Sequence, residues 1–193
     1  MGVLLVVGCL AALGSTARAH ADGGLLGGNC GSVSPVFSSW GDSSNYYFPA
    51  NGGFENGASG WTLSGGAAVV GGNESFNLHS ASDSHSLAIP AGGSASTSLC
   101  FGVLYPALRF VATGAGAKVH VTVSAQNLLG IVSTLDGGTF TAGSSWAPSP
   151  KLSTLLSAVV SPLGAKTMTV RISVSGAAAQ IDDLYVDPFV MKR

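Results

Sequence analysis

Along most of this 193-residue chain, apolar side chains recur at every second position in short runs, and no stretch of eleven or more residues carries a helical stripe. The clearest run is 118–124, which sets Val119, Val121 and Val123 on one face and Lys118, His120, Thr122 and Ser124 on the other. Residues 168–174 repeat the pattern, with Val170, Ile172 and Val174 turned inward and Arg171 outward. Such alternation belongs to a strand buried on one side only. Runs at 67–70, 86–89, 95–101, 108–112 and 180–186 predict further strands, closed by turn formers such as Gly71-Gly72-Asn73, Pro90 with Gly92-Gly93, and Asp187-Pro188. Asp136-Gly137-Gly138, between 131–134 and 139–141, predicts a hairpin. The segment 146–161 holds Pro148 and Pro150 and then a Leu- and Val-rich piece that fits either a strand or one helical turn. About eight to ten short strands without intervening helices predict an all-β fold, an antiparallel β-sandwich. The absence of an internal repeat of roughly 20 to 50 residues excludes propellers and solenoids.

Only 9% of the residues are charged, 46% are apolar and 28 are glycine, the make-up of an exported β protein rich in tight turns. With a net charge of −1 and eight Lys and Arg scattered singly, no patch is able to neutralise a run of phosphates, which argues against nucleic acid as a partner. The first 21 residues read as an export signal: an apolar run over 3–13, then Ala17-Arg18-Ala19-His20-Ala21, whose small residues place cleavage after Ala21. That run is too short to span a membrane, so a secreted, extracellular product is expected. Cys9 within it also admits a lipoprotein, although almost nothing would precede the cysteine. Residues 22–45 are Gly- and Ser-rich and form an extended N-terminal arm, and 46–193 form the sandwich domain, opening at Tyr46-Tyr47-Phe48. Loss of the signal leaves two cysteines, Cys30 and Cys100. In an exported chain such a pair is most simply a disulfide, the alternative being two buried thiols.

Asn51-Gly52-Gly53-Phe54-Glu55 followed by Gly60-Trp61, then Ser84-His85-Ser86-Leu87, then Ile181-Asp182-Asp183-Leu184, carry a resemblance. Together they resemble the jelly-roll carbohydrate-binding modules of the galactose-binding-like superfamily, over residues 46–187 in layout. With Trp40-Gly41-Asp42 ahead of the first motif, the whole chain is similar to a group of small secreted actinobacterial proteins. The resemblance implies a structural calcium held by Glu55, the backbone carbonyl of Gly53, and Asp182 or Asp183, with further backbone oxygens around 82–86. Strand alternation separately sets Asp182 on the inward face with Leu184 and Val186, where a carboxylate without a cation is costly. Oxygen donors without His or Cys suit calcium rather than zinc. The plain alternative has Asp182 at the sheet rim, capping a loop through backbone hydrogen bonds.

The same resemblance implies a saccharide or cell-wall glycan as partner. Sugars are usually held by exposed rings that stack on their faces; Trp40, Tyr46, Tyr47, Tyr105 and Trp146 are the candidates, each weighed against a role in packing. Trp61 is assigned to the core. Catalysis is not expected, because His79, His85 and His120 have no Ser or Cys nucleophile in an elbow motif, and Asp42, Glu74, Asp83 and Asp136 read as loop acids. The competing class is a structural surface protein that self-associates, since low charge leaves sheet edges unprotected.

Overall fold

The computed structural model describes residues 30–101, 107–126, 132–153 and 166–188; the expected export signal with Cys9, Tyr105 and the 154–161 piece lie outside them. Among the described residues there are eleven strands: β1 (Trp61–Ser64), β2 (Ala68–Gly71), β3 (His85–Ile89), β4 (Ser94–Phe101), β5 (Ala107–Thr113), β6 (Lys118–Gln126), β7 (Val132–Thr141), β8 (Ala147–Pro148), β9 (Leu152–Ser153), β10 (Lys166–Ser175) and β11 (Ala179–Asp187). They form two antiparallel sheets, β1-β4-β10-β6-β7 and β2-β3-β11-β5-β8, with β9 also pairing β5. The inward valines of β6 and β10 meet Leu108, Phe110 and Ala112 of β5 and Ile181, Leu184 and Val186 of β11. Each such side chain contributes about 1.5–3 kcal/mol when fully buried. The result is the all-β sandwich that the alternation predicts.

Two elements depart from the pattern, both through an extra residue. Asp136-Gly137-Gly138 is not a hairpin turn. Strand β7 runs straight through it, Val121 facing Gly138 and Thr122 facing Asp136, so Gly137 is a bulge. In β11 the register with β5 shifts between Asp182 and Tyr185, and Asp183 takes a left-handed φ of 48°. The phase therefore slips, and Ile181 and Leu184, three apart, both enter the core. Asp182 is fully buried but is turned away from the face of Leu184 and Val186, towards the loops.

The segment before the first motif lies over the outer face of the second sheet. Ser34 bridges to Tyr46 and Tyr47 to Val186, while Ser38–Trp40 makes one 3-10 turn. Phe37 and Tyr46 pack on Tyr185, and the Arg109 guanidinium sits 4.6 Å from the Phe37 ring centre. Asp42 anchors this layer, accepting from Arg109 Nη1 at 2.9 Å and from the Tyr46 hydroxyl at 2.7 Å. Burial opposes its charge, but hydrogen bonds from Tyr46, Ser44 and Arg109 outweigh burial and hold its pKa at about 2. Cys30 is joined to Cys100 of β4, with Cα atoms 5.5 Å apart. A bond closing a sequence separation of 70 stabilises by about 4 kcal/mol in the chain-entropy account. Cys100→Ser is therefore expected to lower the unfolding free energy by about 4 kcal/mol and to steepen the denaturant slope, because the denatured chain without its crosslink exposes more surface, as measured by urea unfolding of the oxidised protein and the variant.

Candidate functional site

At one end of the sandwich the first motif meets the bulge of β11. The Leu184 amide donates to the Gly52 carbonyl at 3.0 Å. The approach needs glycine, because a Cβ on Gly52 would lie 2.8 Å from the Leu184 carbonyl oxygen and one on Gly53 would lie 2.9 Å from Asp183 Oδ1. Phe54 adopts φ 62° and packs its ring on Trp61 with centres 5.0 Å apart. Trp61 Nε1 donates to the Asn51 carbonyl at 3.1 Å, fixing Trp61 in the core.

Four carboxylates organise the loops around this junction. Glu55 Oε1 accepts from the amides of Ser84 and His85, both at 2.8 Å, and Oε2 meets the Ser84 hydroxyl at 3.2 Å. Its slight burial opposes ionisation, yet the bonds from Ser84 and His85 prevail and leave its pKa below the usual carboxylate value. Glu74, which the sequence left in a loop, is buried and accepts from the amides of Phe76 and Leu78. Asp182 accepts from the amides of Glu74 at 3.1 Å and Asp183 at 2.8 Å. Asp183 Oδ2 accepts from the His79 amide at 2.9 Å, while Oδ1 is buried with no hydrogen-bond partner among the described residues. Burial, then repulsion from Asp183, pushes Asp182 up to about 8, and burial pushes Asp183 up to about 6.

The structure thus brings Gly53 and Asp183 together and adds Asp83 and His79, which the sequence reading did not include as ligands. His79 Nδ1 lies 2.7 Å from Asp83 Oδ2, its ring stacks on Phe48 at 3.8 Å, and donor atoms of His79, Asp83 and Asp183 lie within 4.8 Å of one another. Glu55 and Asp182 flank this cluster with oxygens on backbone amides, as in the loop-capping alternative. The only sequence signals for the newcomers were the position of Asp83 next to Ser84-His85 and the four-residue spacing from His79. An orphaned, buried Asp183 oxygen beside a second carboxylate and a side-chain-free Gly53 fits a divalent cation. Two carboxylates suit calcium, with the imidazole serving as the hydrogen-bond partner of Asp83 rather than as a calcium donor.

Ring by ring, the aromatic candidates separate. Tyr46 and Tyr47 are buried and are not platforms: Tyr46 is held by Asp42, Phe37 and Tyr185, and the Tyr47 hydroxyl donates to the Cys100 carbonyl at 2.5 Å. Trp146 is half-buried. Trp40 is 39% exposed and lies edge-to-face against Phe76, itself 41% exposed, with ring centres 5.0 Å apart. Phe76 was not singled out by the sequence.

No family model and no curated protein sequence matches the chain. Solved structures match it in fold. A family 61 carbohydrate-binding module in complex with β-1,4-galactotriose superposes at TM-score 0.50 and 19% identity, covering 74% of this chain and 98% of that one. The CBM22-1 and GH10 modules of a Clostridium thermocellum endo-1,4-β-D-xylanase, complexed with xylohexaose, match at TM-score 0.51 and 14% identity; the match covers 72% of this chain and 28% of that one. The fold is that of a jelly-roll carbohydrate-binding module. In this jelly-roll module the acidic cluster ties the first motif to the last strand, and the Trp40–Phe76 pair stands on the covering segment.

Asp182 and Asp183 are both raised above the unfolded value of 3.8, so between that value and about 8 the folded protein binds more protons than the unfolded chain. Their contribution to stability is present at acid pH and is lost as pH rises through this window. In EDTA, the melting temperature is expected to fall between about pH 5 and pH 8, and Asp183→Asn to flatten the fall, as read by thermal unfolding at a series of pH values.

Proposed function

We propose that the chain is a secreted, non-catalytic glycan-binding module with a structural calcium site at one end of its sandwich. The observation that carries the binding role is the solvent-facing Trp40–Phe76 pair on a jelly-roll frame, since flat rings exposed to water are what sugar faces stack on. The saccharides held by the two structures of like fold support the ligand class. A non-catalytic role is supported by the histidines. Ser84 Oγ and Glu55 Oε2 both meet Nδ1 of His85, each at 3.1 Å, so the ring cannot pass a proton from one to the other as a catalytic triad requires. His79 and His120 each pair with an acid, Asp83 and Asp136.

Calcium would be held by the carboxylates of Asp183 and Asp83 and the Gly53 backbone, with Glu55 and Asp182 bracing the loops on either side. When bound, it supplies positive charge to carboxylates that burial disfavours. Calcium at one hundred times its Kd stabilises by about 2.7 kcal/mol, so titration into the EDTA-treated protein is expected to raise the melting temperature, and Asp183→Asn to abolish the rise. No shift at millimolar calcium removes the ion from the reading. For the glycan, affinity electrophoresis against β-1,4-galactan and xylan, backed by a glycan array, is expected to show retardation that Trp40→Ala and Phe76→Ala each reduce without a change in melting temperature. No retention by any glycan defeats the reading.

A further inference from the structure

β1 and β2 are the outermost strands of the two sheets on one flank of the sandwich, β1 beside β4 and β2 beside β3. Only Gly65, Gly66 and Ala67 separate them, so the two edges lie stacked, about 10 Å apart as packed sheets do. Between Glu55 and Glu74 the chain holds no Asp, Glu, Lys, Arg, His or Pro. The Gly72 amide bonds the Ser84 carbonyl, and Val70 and Ala68 stand opposite Ser86 and Ala88. By the alternation of an antiparallel ladder, the N–H and C=O of Val69 and Gly71 then point away from β3, to the open side. Leu63, Ala67 and Val69 are only partly buried against the core, so apolar surface adjoins this open backbone.

The opposite flank is built differently. There β7 is broken by the bulge at Gly137 and carries the exposed charge of Asp136. Beside it the second sheet ends in two two-residue strands, β8 and β9, with Pro148, Pro150 and Lys151 in that segment. Bulges, charges and prolines are the devices that keep sheet edges from pairing with another chain. Along β1 and β2 the register runs without a bulge, and none of the other devices is present. The geometry also selects the partner. An extended peptide covers a single edge, whereas a partner that pairs both must itself present two open edges one above the other. A second copy of this chain does so. A twofold axis perpendicular to the layers sets β2 antiparallel to β2 and β1 antiparallel to β1 at once, and no like charges meet across it.

We propose that the β1–β2 flank is a contact between two copies of this chain, each sheet continuing across the twofold axis into its counterpart. Four residues at about 3.4 Å each pair over roughly 14 Å, which puts the contact below the ~1,200 Å² of stable complexes and makes the dimer concentration-dependent. It is independent of the glycan reading and uses none of the residues proposed there. The test is sedimentation velocity of the oxidised protein over a concentration series, for the wild type, Val70→Lys, Val70→Glu and Thr134→Lys, with melting temperatures confirming that each is folded. Val70 is half-buried on the outward side of β2, and Thr134 is exposed on β7. The wild type is expected to pass from monomer to dimer as concentration rises. Val70→Lys and Val70→Glu are each expected to dimerise roughly tenfold or more weakly, because like charges then face each other across the axis. Mixing these two variants is expected to restore the dimer, and Thr134→Lys is expected to match the wild type. A wild type that stays monomeric throughout, or that grows into open-ended polymers, overturns the proposal. So does a dimer that Val70→Lys leaves intact or Thr134→Lys abolishes, and so does a mixture of the two Val70 variants that remains monomeric.

Discussion

The hydrogen bond from the Leu184 amide to the Gly52 carbonyl is the contact on which the functional end of this molecule depends. It forms only because two adjacent residues of the first motif have no side chain, and because β11 carries one residue too many at that level. The glycine pair lets a loop lie directly on a strand. The extra residue then turns two consecutive carboxylates off the sandwich core and under the 73–84 loop, where both are nearly inaccessible to water. Sequence ends some 130 residues apart thus become one site without a helix or a long side chain to join them.

Charge is used sparingly, and chiefly to hold backbone amides. Among the described residues, Asp42, Glu55, Glu74, Asp136, Asp182 and Asp183 each accept a backbone amide, so carboxylates do for the loops what β pairing does for the strands. Where one carboxylate receives several donors, as Glu55 does, its charge is stabilised. Where two acids are crowded under one loop with too few donors, as at Asp182 and Asp183, the charge is disfavoured. Asp183 differs from the acids that merely shape the chain in keeping one buried oxygen, Oδ1, without a hydrogen-bond partner among the described residues.

The strands were legible because a half-buried strand must alternate, and 118–124 and 168–174 do so without interruption. What misled the sequence reading was the single inserted residue, which leaves no compositional trace. Asp136-Gly137-Gly138 has the residues of a turn, and the same residues serve a bulge equally well. At Asp183 an acid rather than a glycine takes the left-handed φ, so nothing in the sequence marked the phase slip that moved Asp182 off the face of Leu184. The roles of Tyr46 and Tyr47 were hidden for another reason. The burial of Tyr46 depends on Phe37, Asp42 and Arg109 meeting across 67 residues, within a Gly- and Ser-rich stretch that looks unstructured on its own, while Tyr47 enters the main core and its hydroxyl reaches the Cys100 carbonyl. His79 reached Asp183 by the fold of a loop, for which no periodicity exists to read.

The segment around Phe37 to Tyr47 touches both layers of the sandwich. Its side chains bed against Tyr185 and Arg109 and its backbone bridges to Val186 in one sheet, while the Cys30 bond and the Tyr47 hydroxyl fasten it to β4 in the other. It is a strap across the seam. The two sheets cannot be peeled apart by a load or a protease without first stripping off this band, one end of which is covalent, and so mechanical endurance resides in the least regular part of the chain.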